Sequence, residues 1–186
     1  MDAFSYLSVL ISVILGFAVQ QVLLGYRALI LSRRRIRFYW PVLAWSVLLL
    51  AMVAQHWWSS FGLASRNDWS FGMFATILVQ TALIYMMTAI VLPDVPVDQP
   101  IDLRDHYFRE AGAFFGIGVV TILWSLFRGF ILDGRLPPPA NLAFHGLFLA
   151  AALVAAVTRR PRVHEALAGL MMVLFVLFVA LLFARL

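Results

Sequence analysis

Few side chains in this sequence can do chemistry, and their depth within apolar runs sorts them better than their spacing. Gln20, Gln21 and Gln80 fall near the middle of long hydrophobic stretches, with Thr81 and Thr121 close to the same level. An amide or hydroxyl surrounded by hydrocarbon must find a partner, because leaving it unpaired is costly. Two readings fit. In the first, Gln20, Gln80, Thr81 and Thr121 line a transport path or ion locus. In the second, they are glue between helices, worth about 0.6–2 kcal/mol per contact. No acidic residue shares this level, which argues against a proton carrier of the carboxylate kind.

The histidines divide by depth. His56 and His145 lie about one helical turn from one end of their runs, and His106 and His164 flank the opposite end. Two pairs at opposite depths would suit a b-type haem electron carrier. In such bundles the paired ligands recur on the same helices at both depths, and here they do not. Haem b on His56 and His145 is therefore an alternative to a cofactor-free protein. A bare metal site lacks carboxylate ligands on that side. The absence of cysteine excludes disulfides, thiolate nucleophiles and cysteine-bound zinc. No nucleophile elbow, zinc-protease motif or phosphate-binding glycine loop is present, so no enzymatic chemistry is expected.

One polar cluster stands outside the apolar runs. Asp102 reads as a helix N-cap, with Asp105 three residues later as a short capping-box partner. Asp102–His106, Asp105–Arg109 and His106–Glu110 are i, i+4 pairs on the helix that follows. This acidic start is expected to dock against arginines of neighbouring loops, or to form part of a surface for a partner protein.

The elements that must position these groups follow from composition. Of 186 residues, 63% are hydrophobic and 12% charged, against about 25% charged in a soluble domain. The chain is expected to be an all-α, polytopic transmembrane bundle of six helices forming a single domain. Its spans cover about 4–31, 39–61, 69–92, 107–132, 142–158 and 163–184. The first run lacks a basic n-region and a small-residue cleavage site, so it reads as a retained helix.

All fourteen basic residues are arginine. Ten (Arg27, Arg33, Arg34, Arg35, Arg37, Arg104, Arg109, Arg159, Arg160 and Arg162) flank the first, third and fifth loops. Four (Arg66, Arg128, Arg135 and Arg185) lie on the other side. The positive-inside rule places the odd loops in the cytoplasm and both termini outside, and it explains the +5 net charge better than nucleic-acid binding does. Phe38, Tyr39, Trp40, Trp57, Trp58 and Trp69 sit at interfacial belt positions. Pro93, Pro96 and Pro100 keep the third loop extended, and Asp94 and Asp98 make it acidic. Pro137-Pro138-Pro139 stiffens the fourth loop, with Asn141 expected as the next N-cap.

Packing expectations come from small residues. Ser5, Ser8, Ser12, Gly16, Gln20 and Arg27 cover about a third of the first helix. That stripe is expected to face protein and to act as the seam around which the other helices pack. Gly112-x-x-x-Gly116 and the alanines of the fifth span are expected to pack closely. The sixth span is expected on the lipid-facing perimeter or at a subunit interface of a homo-oligomer.

Four blocks carry a resemblance: Arg35-Ile-Arg-Phe-Tyr-Trp-Pro41, Gln55-His-Trp-Trp58, Leu92-Pro-Asp94 and Asp102-Leu-Arg-Asp-His-Tyr-Phe108. Together they resemble small six-span bacterial inner-membrane proteins. The resemblance implies the fold and the membrane and supplies no activity. The expected function is that of a small channel or transporter-like protein. The alternatives are an accessory or scaffold subunit binding a partner at the arginine-rich loops, and the haem carrier.

Overall fold

The computed structural model describes residues 3–66, 68–94 and 100–182. The middle of the third loop, including Pro96 and Asp98, and the C-terminal Arg185 lie outside the described residues. Among the described residues six α-helices form: α1 (Ala3–Leu31), α2 (Trp40–Ser60), α3 (Phe71–Val91), α4 (Leu103–Asp133), α5 (Pro139–Val157) and α6 (Pro161–Leu182). Each is long and apolar enough to cross a membrane, so this is an all-α, multi-pass membrane protein. For description, the basic end carries the α1–α2, α3–α4 and α5–α6 connections. The far end carries the α2–α3 and α4–α5 connections.

Helix ends follow local chemistry. Asp102 Oδ1 accepts from the backbone N–H groups of Arg104 (2.9 Å) and Asp105 (3.2 Å). That cap starts α4 four residues before the expected 107. At the other end Gly134 takes a left-handed φ of 65° and its N–H bonds back to the Phe130 carbonyl at 2.9 Å, a stop that glycine makes without strain. The expected cap at Asn141 does not form. α5 already begins at Pro139, with Pro138 as its N-cap, because proline is pre-set for the first helical position. Asn141 is therefore inside the first turn.

Helices α2, α3, α4, α5 and α6 each pack on the next, and α6 returns to α2, closing a ring of five. α1 stands outside that ring, against α3 and α2. This corrects the expectation that the first helix is the organising seam. Its buried ridge is Leu7, Ile11, Leu15, Ala18 and Val22, whereas Ser12, Gly16, Gln20 and Arg27 are exposed. The apolar side of α1 faces protein because α3 offers it a complementary apolar cluster of Ile77 and Ile84. Polar ties add registry: Tyr26 O–H donates to Ser46 Oγ (2.8 Å), and Trp57 Nε1–H donates to Ser12 Oγ (3.1 Å). The Leu92 side chain packs directly on the Gly25 backbone, where an added Cβ would lie 2.5 Å from Leu92 Cδ1 and 2.8 Å from Leu92 Cβ.

One further packing expectation is corrected. Gly112 is exposed, and nothing lies within 4 Å of a Cβ placed at Gly112 or Gly116. Gly118 instead meets Met87 Cε at 3.4 Å. In α5 Phe148, Ala151, Ala152 and Ala155 are buried, so three of its alanines pack closely as expected. α6 closes the ring, burying His164, Ala168, Met171 and Phe178, and leaves Leu170, Val173, Val176, Leu177 and Leu181 exposed on the outer perimeter.

The basic end is stapled shut. β1 (Ile36–Arg37) pairs in parallel with β2 (Ile101–Asp102), and Arg37 forms an ion pair with Asp102 at 3.1 Å. Thus the acidic start of α4 does meet an arginine of the first loop. His106 Nε2 donates to the Ile90 carbonyl (3.2 Å), tying α4 to α3. Arg159 donates to the Phe108 carbonyl. Trp45 Nε1–H donates to Tyr107 Oη at 3.2 Å, Tyr107 contacts His164 Nδ1 at 2.9 Å, and His164 Nε2 contacts the Thr158 carbonyl at 2.8 Å. A carbonyl only accepts, so Nε2 carries a proton and the Tyr107 proton points to Nδ1. The relay runs from α2 through α4 to α6 with every ring buried.

Candidate functional site

Inside the five-helix ring lies a cavity of about 550 Å³, within the range of about 300–1,000 Å³ typical of small-molecule sites. It exists because the α2 and α4 backbones stand apart across the ring and meet through side chains toward the basic end. Helical periodicity puts its lining on single faces. Trp45, Leu48, Leu49, Met52, Gln55, His56 and Ser59 line it from α2. Phe115, Gly118, Thr121, Ile122, Ser125, Arg128 and Gly129 line it from α4.

The lining changes with depth. The far end contributes Asp133, Arg135, Leu136, Pro137, Pro138 and Asn141 from the α4–α5 turn. Below them come Arg128, His56, His145, Ser125 and Ser59, and deeper still Gln80 and Thr121. The floor is Trp45, Phe114 and Phe115, with Met171 beside it and Phe175 about one turn above Met171. Trp45 stands edge-on to Phe114 and Phe115, with ring centroids 5.7 Å and 5.2 Å apart. The floor therefore rests on the Trp45–Tyr107–His164 relay, and the cavity ends where the stapled basic end begins.

Polar groups in the cavity fall into satisfied and unsatisfied sets. Thr81 Oγ1 donates to the Ile77 carbonyl (2.9 Å), so its contact with His56 Nε2 (3.0 Å) is one in which the ring donates. His145 Nδ1 donates to the Asn141 carbonyl (2.9 Å), which leaves Nε2 to accept from Ser125 Oγ at 3.3 Å. Thr121 Oγ1 donates to the Ile117 carbonyl (2.8 Å) and lies 3.8 Å from Met87 Sδ. By contrast, Gln80 Oε1, Arg128 Nε and Asn141 Oδ1 are buried without a hydrogen-bond partner. All three side chains line the cavity.

Charge at the mouth is unbalanced. Asp133, the one acidic residue of the lining among the described residues, is held by Arg66, whose Nη2 lies 2.9 Å from Asp133 Oδ1 and whose Nη1 donates to the Leu132 carbonyl at 2.7 Å. Arg66 also approaches Asp68 at 3.6 Å. Among the described residues Arg128 has no ion-pair partner. A guanidinium in a membrane-spanning helix without a counter-charge is costly, and such groups face cavities and mark binding pathways.

The residues singled out from sequence are only partly brought together. Gln80 and Thr121 line the cavity, and Thr81 is buried behind it, bonded to the cavity-lining His56. Gln20 is exposed on the outer surface of α1, away from them. Gln21 bonds Tyr85 Oη at 3.3 Å on that surface. His56 and His145 share the cavity, but His145 has both ring nitrogens engaged and His56 has committed Nε2. Among the described residues no cluster of three or more His, Cys, Asp or Glu can hold a metal. Asp102, Asp105, His106, Arg109 and Glu110 lie at the basic end, outside the cavity. There Arg109 pairs with Asp105 (3.4 Å) and Glu110 (3.1 Å), and His106 turns inward to Ile90 instead of pairing with Asp102 or Glu110.

Sequence reasoning missed Arg128, Ser125 and Asn141 as members of one site. The signal was present on α4. Gly118, Thr121, Ser125 and Arg128 recur every three or four residues, which is one helix face running from small to polar to charged. No protein-family model, curated protein or solved structure matches this chain.

Proposed function

We propose that the chain is a small transporter-like protein of the bacterial inner membrane, with its basic end in the cytoplasm and its cavity as the substrate site. The observation that carries this reading is the cavity: about 550 Å³, polar toward the far end, floored by aromatics and stapled at the basic end. That is the form of a site reached from one face at a time, as alternating access requires. The orientation rests on arginine. Arg33, Arg34, Arg35, Arg37, Arg104, Arg109, Arg159, Arg160 and Arg162 cluster at the basic end, against Arg66, Arg128 and Arg135 toward the far end.

Because the chain has no cysteine, single thiols report access directly. Ser59→Cys in the upper cavity is expected to react with a membrane-impermeant maleimide on intact cells, and Arg34→Cys only after the membrane is opened. Labelling in the reverse order refutes the orientation. Leu49→Cys near the floor is expected to react slowly in inside-out vesicles if the floor opens during a cycle. Complete protection there, with Ser59→Cys still labelled from the far side, refutes transport and leaves a one-sided binding protein. Purification with a second protein in fixed ratio would favour the accessory-subunit reading instead.

A further inference from the structure

Resting on the reading of the cavity as a substrate site, we propose that it takes a single-chain amphiphile with an anionic head and a hydrogen-bond donor between head and tail. Three observations converge on this class.

The first is Arg128. It lines the cavity, leaves Nε buried and unpartnered, and has no carboxylate partner among the described residues. Asp133 is already neutralised by Arg66 at 2.9 Å, and Arg135 adds a second positive charge to the lining. A carboxylate or phosphate supplies what Arg128 lacks, and in a low-dielectric site such a charge-assisted pair is strong.

The second is the depth gradient. From Arg128 to Phe114 the α4 lining drops fourteen residues, about 21 Å at the helical rise. Over the lower part of that path the walls are aliphatic and aromatic and end on Trp45. A long, slender apolar tail removes this surface from water or solvent, whereas a compact polar solute leaves it bare.

The third is Gln80. It is 5% exposed, lines the cavity, and leaves Oε1 with no donor. It lies nine residues from the far-end start of α3, while Arg128 lies five residues from the far-end finish of α4. At the helical rise Gln80 is thus roughly 6 Å deeper than Arg128. A hydroxyl or amide N–H just below the anionic head meets it there. Acyl-glycerol phosphates drawn from the membrane and N-acyl amino acids drawn from solution both have this chemistry.

The test uses the full-length protein in lipid nanodiscs, with tail-terminal bromine quenching Trp45 as the readout. Four brominated probes are compared: an acyl-glycerol phosphate, an N-acylglycine, a plain fatty acid without the donor, and an uncharged monoacylglycerol. The first two are expected to quench saturably and at least tenfold more tightly than the monoacylglycerol. Trp45→Phe is expected to remove the saturable component. Whichever of the two binds more tightly identifies the source, membrane or solution. Arg128→Gln is expected to weaken both about tenfold or more and leave the monoacylglycerol unchanged. It keeps the fold, because it removes a lone charge from the helix, and Arg128→Lys is expected to restore part of the loss. Gln80→Leu is expected to erase the advantage of the N-acylglycine over the fatty acid. Equal binding of charged and uncharged probes, unchanged binding in Arg128→Gln, or no saturable quenching by any probe overturns the proposal. If those results accompany far-side labelling of Ser59→Cys, the cavity remains a substrate site of another class. If Ser59→Cys is unreactive while the charged probes bind, the transporter reading fails and the ligand class stands.

Discussion

Tyr107 and Tyr39 stack edge to face with ring centroids 5.5 Å apart, yet their hydroxyls have opposite circumstances. The same change, Tyr→Phe, is therefore expected to have opposite consequences at the two positions. Tyr107 Oη accepts from Trp45 Nε1 and donates to His164 Nδ1, and His164 is 0% exposed. Tyr107→Phe strands both partners. Each stranded buried group costs about 1–3 kcal/mol. Helices separated within a bilayer recover some pairing, which pulls the sum down, so about 2–4 kcal/mol is expected. On the scaling for chains of this size that is a Tm lower by roughly 5–15 °C. Tyr39 Oη is buried with no hydrogen-bond partner. Tyr39→Phe removes a desolvated hydroxyl and keeps the ring contacts, so it is expected to be neutral or stabilising by up to about 1 kcal/mol. The assay is thermal unfolding of both variants in one detergent, read by intrinsic fluorescence and checked by circular dichroism. Equal destabilisation by the two variants, or a neutral Tyr107→Phe, would refute the relay as the lock of the basic end.

Three further predictions follow from separate contacts. Burial, with help from Glu165 and against Arg104, pushes the Tyr39 phenol from 10.0 up to about 12. Its folded pKa exceeds its unfolded value, so its contribution is intact below pH 10 and is lost as pH rises toward 12. Unfolding midpoints measured at about pH 9 and about pH 11 should therefore fall less in Tyr39→Phe than in the parent, and an identical fall excludes this group. Gly25→Val places a branched side chain where even a Cβ would lie 2.8 Å from Leu92 Cβ. An overpacking loss of about 1–3 kcal/mol is expected in the same thermal assay, with Gly16→Val as the control, since nothing lies within 4 Å of a Cβ there. Asp102→Ala removes the α4 cap and is expected to cost about 1 kcal/mol. The exposed Arg37 pair adds little, so Asp102→Asn should keep most of the stability, and a loss as large as that of alanine would assign the role to the ion pair instead.

Much of the architecture was legible in the chain, and so were four members of the site, Gln80, Thr121, His56 and His145, but not their meeting in one cavity. Hydrophobic run length decides membrane spans because every backbone polar group in lipid must be bonded within a helix. Six helices could therefore be placed to within a few residues. Local capping chemistry was legible at Asp102, where one carboxylate meets two N–H groups. It misled at Asn141, because Pro139 had already begun the helix.

What the sequence could not decide was which face of each helix meets which neighbour. On α1 the small polar stripe and the Leu7–Ile11–Leu15–Ala18–Val22 ridge were both plausible seams. The ridge is buried because α3 presents an apolar surface to match it, and that fact belongs to two helices at once. The separation of Gln20 from Gln80 follows from the same choice. Only closure of the ring from α2 to α6 creates the cavity and joins Arg128, Gln80, His56, His145 and Asn141, which come from four helices. Helical periodicity fixes neighbours three or four residues apart along one chain segment. It carries no information about partners 48 residues away, such as Trp124 and the Thr76 carbonyl it bonds at 2.9 Å. Composition and periodicity thus determined that this chain crosses a membrane six times. Tertiary packing alone decided that five of those helices surround a cavity holding an arginine with no ion-pair partner among the described residues.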